Sequence, residues 1–147
     1  MKIYFLLALA LITILTSCRF GTDYINRETH KKEAEVITNS FFQAIQDEDF
    51  EKLFGMFSEE FYEVTPEETM LKLFDSTNRK LGKLQTWEIL EWNTKVTGGT
   101  INKGIYVFFY DCQFANDKAK VKLSLVKKGD GKIKINYYRI NSDAFLE

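Results

Sequence analysis

Histidine and proline each occur once in this chain of 147 residues, and cysteine only twice. His30, beside Lys31 and Lys32 near the start of a helical stretch, reads as a solvated side chain. It leaves no His-based acid–base pair. No His/Cys/Asp cluster has metal-ligand spacing, so neither a metal nor any other cofactor is expected. Two cysteines cannot build a disulfide framework. The longest apolar run, Ile3 to Leu15, is roughly 13 residues, short of the ~20 that cross a bilayer. No excess of one charge exists either: 20 Lys and Arg stand against 21 Asp and Glu, and no nucleic-acid partner is expected. Phosphate-cradling glycine loops are missing, because Gly98-Gly99 and Gly129-Asp130-Gly131 read as turns between strands. Repeats and low-complexity tracts are absent.

What stands at the N-terminus is more specific. Lys2, a short apolar run and then Leu15-Thr16-Ser17-Cys18 resemble the lipobox signal of bacterial lipoproteins. The resemblance implies cleavage before Cys18 and lipidation of that Cys. It also implies attachment to a membrane of the cell envelope, on its extracytoplasmic side. Several acyl chains of the kind such lipoproteins carry make a firm anchor. A plain secretory signal and an uncut N-terminal anchor are the competing readings. The resulting division is residues 1–17 signal peptide, 18–26 lipidated Cys and tether, and 27–143 a single domain. One domain of this size needs no disulfide to bury a core, and Cys112 is left without a partner.

Within the domain, charge is segregated. Residues 27–82 hold 13 acids and 7 bases, whereas residues 83–143 hold 6 acids and 11 bases. Aromatics abound, with 13 Phe, 7 Tyr and 2 Trp, which fits a packed interior or an aromatic-lined pocket.

The front half has helical period. Ala34, Ile37, Phe41 and Ala44 recur at spacings of three and four, and Phe42 and Ile45 widen the stripe. Asp49 is placed to cap a short second helix carrying Phe50, Leu53, Phe54 and Phe57. Glu59–Val64 is ambiguous, with a short extended piece as one reading. Thr65-Pro66-Glu67-Glu68 reads as a capping box opening a helix with Met70, Leu71, Phe74 and Leu81 inward and Gly82 as its stop. After Gly82 the period becomes two. Leu90, Trp92, Thr94 and Val96 share a face of the first strand. Tyr106, Phe108, Tyr110, Cys112 and Phe114 share a face of the second, and Ala119, Val121, Leu123 and Leu125 of the third. The last strand changes apolar phase between Ile135 and Tyr138, and a β-bulge near Asn136-Tyr137 reconciles the two.

Helices followed by a meander give an α+β class: N-terminal helices packed on a curved, mainly antiparallel four-stranded sheet. The long helix ending at Ala44-Ile45-Gln46, the Asp-Glu-Asp-Phe start of the second, Leu81-Gly82-Lys83-Leu84 and the ending Lys132–Ile140 resemble the nuclear-transport-factor-2-like superfamily. This is the cone-shaped fold also called cystatin-like, here over about residues 30–142. Where members often place a Trp, this chain has Lys132 and Ile133. The resemblance implies a cavity between helices and sheet, with Trp92, Tyr106, Phe108, Tyr110, Cys112, Phe114 and Tyr138 as candidate lining. The competing reading is that these aromatics fill the core. The superfamily includes isomerases, dehydratases and non-catalytic modules, so fold alone selects no activity.

No enzyme is expected. Alternation puts Asp111 on the face opposite Tyr106 and Tyr110, and Glu91 faces inward only if Leu90 and Trp92 do not. Cys112 reads as a buried, inert thiol. Lys118, Lys120, Lys122 and Lys134, with Lys127, Lys128 and Lys132, read as a solvated sheet face. The alternative is a basic surface for anionic lipid or an acidic partner. The leading expectation is a membrane-tethered, non-catalytic binding or assembly module of the envelope, with an envelope protein or a second copy as partner. A binder of a small apolar ligand in the cavity is the alternative, and an isomerase- or dehydratase-like enzyme comes third.

Overall fold

A computed structural model of the protein describes residues 21–99 and 102–146. Among the described residues, four helices lie on one face of a five-stranded antiparallel sheet of order β1-β2-β3-β4-β5. The elements are β1 (Gly21–Ile25), α1 (Glu28–Asp47), α2 (Phe50–Phe54), α3 (Glu59–Val64), α4 (Glu67–Leu81), β2 (Leu84–Gly99), β3 (Lys103–Phe114), β4 (Lys118–Lys127) and β5 (Ile133–Asn141). A 3₁₀ turn, Asp143–Phe145, follows.

The fifth strand is a correction to the expected four. Gly21–Ile25, within the expected tether, pairs with Lys95–Gly99 of β2. Polar contacts secure it. The Thr97 hydroxyl donates to Asp23 at 2.6 Å, and the Lys95 amine lies 3.0 Å from the same carboxylate. Both hold the Asp23 carboxyl below its usual range, the hydrogen bond from Thr97 first. Asn26 closes the strand at φ 48, its side chain accepting from the Thr94 N–H and its own N–H donating to the Thr94 carbonyl, both at 2.8 Å. A five-residue strand of polar composition has no apolar alternation to announce it. It exists because the edge of β2 turned away from β3 is otherwise unpaired at Lys95–Gly99 and offers its backbone groups to a further strand.

The helix caps divide. Asp49 caps α2, its side chain accepting from the Lys52 N–H at 3.1 Å. Glu59–Val64 is a helix and not extended chain, because the Ser58 hydroxyl accepts from the Phe61 N–H. That helix consumes Thr65 as its C-terminal cap, so the capping box does not form. Pro66 holds the N-cap of α4 with φ −58 and ψ 150 and no side-chain cap, and its carbonyl accepts from the Thr69 and Met70 N–H groups. Leu71 is exposed, while Met70, Phe74, Thr77 and Leu81 face inward. Gly82 ends α4 at φ 78, and a Cβ there would meet the Ala115 Cβ at 2.9 Å.

Three irregularities bend the sheet. β2 shifts register at Gln85 and again at Leu90, and β5 shifts at Asn136. The last lies where the phase change puts it. The Leu90 bulge turns that side chain out to 54% exposure and puts Trp87 and Ile89 on the inner face in its place. Gln46 of α1 donates to the Leu84 and Gln85 carbonyls, satisfying acceptors beside the first bulge. Beyond β5, Phe57 forms a lone parallel bridge to Ile135.

Alternation governs β3 and β4 throughout. Tyr106, Phe108, Tyr110, Cys112, Phe114, Ala119, Val121, Leu123 and Leu125 are all buried. They meet Ala34, Phe41, Phe42 and Ala44 of α1, with Leu53, Met70 and Phe74 completing the core. Each Phe or Leu buried there contributes about 1.5–3 kcal/mol of hydrophobic stabilisation. Phe42 anchors the layer, edge-on to Tyr110 at 4.7 Å and stacked on Trp87 at 5.3 Å.

Candidate functional site

The core does not close at the Leu84 end of the sheet. A cavity of about 370 Å³ opens there between the C-terminal part of α1, the helix α4 and the strands. Phe42, Ile45, Phe50, Phe74, Leu84 and Val121 give it apolar walls, and Phe114 and Tyr138 reach it from the sheet. Glu48, Lys72, Asp75, Asn78 and Lys83 stand around the mouth. Its position follows from local signals. The helix α4 must stop at Gly82, and α1 ends at Glu48 with φ 58, so both helices leave the sheet before covering its last rows.

Of the residues expected to line a cavity, the structure brings only Phe114 and Tyr138 to this one. Tyr106, Phe108, Tyr110 and Cys112 are 0–1% exposed and packed in the core. The Tyr110 hydroxyl donates to Thr38 Oγ1 at 2.6 Å, and the Thr38 hydroxyl donates to the Glu35 carbonyl at 3.2 Å. The Tyr106 hydroxyl lies 3.4 Å from Glu33 Oε2. Trp92 is half-buried away from the cavity, with the Lys31 ammonium 5.5 Å from its ring centroid. Helical residues therefore form most of the wall. Their signal was the widened stripe at Phe42 and Ile45, which exceeds what one helix face needs to pack on a sheet.

Tyr138, Thr77 and Asn78 bring polar groups to the lining, and Tyr138 is the one contributed by the sheet. Its ring lies between Phe41, at 5.5 Å, and Phe74, at 5.6 Å. Burial, with Cys112 nearby, pushes its phenol far above the ordinary range. Burial likewise pushes the Cys112 thiol up to about 12, with Asp111 adding to it, so the thiol stays protonated. The carboxylates bordering the cavity, Glu48 and Asp75, are exposed.

A second polar cluster ties α1 to the sheet at its other end. Glu33 takes the Lys127 amine at 2.5 Å, and His30 Nδ1 is 3.7 Å from the same carboxylate. His30 is thus half-buried, against Tyr24 at 5.9 Å between centroids, and not the fully solvated side chain expected. Among the described residues no group of His, Cys, Asp and Glu could hold a metal ion.

The lysines do not act as one field. Lys118 and Lys120 are exposed on the outer sheet face, opposite Gln113 and Asp111 of β3. Lys122 lies over Phe109 at 5.3 Å and Tyr137 at 5.4 Å. Lys134 donates to the Gly55 carbonyl, and Lys128 pairs with Glu60. Cys18 lies outside the described residues, and among those no helix is long and apolar enough to cross a membrane.

The class defined by this arrangement is an α+β domain with helices on one face of an open antiparallel sheet and a cavity at one end. The chain belongs to the family described as "Protein of unknown function (DUF3887)", which matches residues 38–136, from the middle of α1 to the bulge in β5. No curated protein and no solved structure matches the chain.

Proposed function

We propose that this protein is a membrane-tethered, non-catalytic binding module of the bacterial cell envelope that holds a small, largely apolar ligand in the cavity beneath Tyr138. The single observation that carries the reading is that cavity, about 370 Å³ with apolar walls and the Tyr138 side chain on its lining. Ligand sites are of this size and kind, apolar surfaces with a few placed polar groups that fix orientation. The carboxylates at the mouth, Glu48 and Asp75, are exposed side chains on the rim and not buried in the apolar wall, an arrangement that suits binding. Anchoring by Cys18 rests on the lipobox resemblance. The cone-shaped, nuclear-transport-factor-2-like form of the fold is supported by helices on the inner face and by bulges that bend β2 and β5.

Native mass spectrometry of the full chain extracted from membranes tests both halves, reading acyl mass on Cys18 and any retained small molecule. Titration with the neutral dye N-phenyl-1-naphthylamine then addresses the cavity. Binding should be present in the wild type and lost in Asn78→Trp, which plugs the mouth. Dye binding that Asn78→Trp leaves unchanged would sink the cavity reading.

Assembly is a second reading, favoured by the outer face of the sheet. Ile25, Leu90, Ile105 and Tyr137 are 64, 54, 54 and 40% exposed there. An apolar face of this kind suits an envelope protein partner or a second copy.

A further inference from the structure

The two ends of β2 carry different things. At its Gly99 end the chain enters the sheet, because Gly21 pairs with Gly99. Lys103 opens β3 beside it, and the turn between β4 and β5 stands at the same end, with the Asn102 side chain close to Gly131. At its Leu84 end lies the cavity mouth, bordered by Gly82, Lys83 and Phe114. Sixteen residues separate these ends along β2, roughly 50 Å at ~3.3 Å per residue, somewhat less with the two bulges.

Incorporating Gly21–Ile25 into the sheet shortens the free tether. Cys18 precedes Gly21 by three positions, which span at most about 10 Å. No slack follows, since β1 is hydrogen-bonded along its length and fastened by Asp23 and Asn26. A lipid on Cys18 therefore holds the Gly99 end within about 10 Å of the bilayer surface, the reach of a charged surface in physiological salt. Lys103 and Lys132 are exposed at that end with no ion-pair partner among the described residues, whereas Asp23, Glu33 and Glu60 engage Lys95, Lys127 and Lys128. Asp130, in the same turn, accepts from the Lys132 N–H. At the cavity mouth exposed groups of both signs stand together, Asp47-Glu48-Asp49 and Asp75 with Lys72 and Lys83, so the short tether sets which end meets the bilayer.

We infer that the mature protein stands with its Gly99 end on an anionic bilayer and its cavity opening away from it. The ligand is then a dissolved molecule captured from the aqueous compartment, not a lipid drawn from the membrane beneath. This rests on the anchored, ligand-binding reading above.

The test uses the full, lipidated chain in vesicles of phosphatidylethanolamine and phosphatidylglycerol that contain a nitroxide-headgroup lipid. Lys103→Cys and Asp75→Cys, each on an exposed side chain, are labelled with a fluorophore. Cys112 is buried and does not compete. Quenching at position 103 should exceed that at position 75 by several fold. Equal quenching, or the reverse, overturns the orientation. Failure of the lipidated wild type to float with the vesicles removes the anchor and the orientation together. Dye binding that ignores Asn78→Trp while the quenching pattern holds overturns the ligand clause alone.

Discussion

Tyr110→Phe removes one oxygen from the middle of the core. In the native protein that hydroxyl donates to Thr38 Oγ1 at 2.6 Å, with both residues at most 1% exposed. Thr38 keeps a second partner, the Glu35 carbonyl at 3.2 Å, so the substitution orphans nothing. Its cost should be the net worth of one hydrogen bond, about 1 kcal/mol. Thr38→Val is not equivalent. It strands the Tyr110 hydroxyl in apolar surroundings, and a buried donor without a partner costs about 1–3 kcal/mol. The double variant removes both polar groups while nearly keeping their shapes, so it should cost less than the sum of the two, with a coupling of about 1 kcal/mol. For a domain of this size 1 kcal/mol shifts Tm by about 3–5 °C. Urea unfolding of the four proteins gives the cycle directly. Strict additivity, or Thr38→Val costing less than Tyr110→Phe, would refute the asymmetry between a lost bond and an orphaned group.

Other expectations use the same measurements. Thr94 is fully buried and its Oγ1 meets no partner among the described residues, so Thr94→Val should raise stability by about 1 kcal/mol; a loss would point to a bridging water. A Cβ on Gly104 would lie 2.8–2.9 Å from the Tyr106 ring and hydroxyl, and Gly104→Ala should cost about 1–3 kcal/mol by overpacking, a prediction that an unchanged urea midpoint contradicts. Cys112, held near 12 by burial, should resist aromatic disulfide reagents at pH 8 until the protein unfolds. The folded state binds that proton more tightly than the unfolded chain, whose thiol titrates near 9.0. Its contribution is complete below that value and is lost as pH rises through about 12. Raised phenols at Tyr62, Tyr106 and Tyr110 act in the same direction. Melting temperatures that stay flat from pH 9 to 11 would contradict this.

Much of the architecture was written locally. The periods of 3.6 and 2 placed α1, α4, β3 and β4, because each has one face on a single core and alternation cannot drift without exposing it. Asp49 announced α2, and the phase change at Asn136 announced a bulge. Features that depend on what else is present were not legible. Thr65 fits a capping box in isolation, yet Ser58 nucleates a helix ahead of it that uses Thr65 at its own end. Leu90 belongs to the inner face by parity, and only the register of β2 against β3 turns it out. The strand β1 has no signal of its own, since it is made by the free edge of its neighbour. The candidate site divides the same way. That Tyr106, Phe108, Tyr110 and Phe114 of β3 and Tyr138 of β5 face the helices follows from alternation, which is a local property. Whether they are core or cavity wall depends on where α1 and α4 stop relative to the sheet. That is decided by tertiary packing, which fills the space around Tyr106 and Tyr110 and leaves it open beside Tyr138.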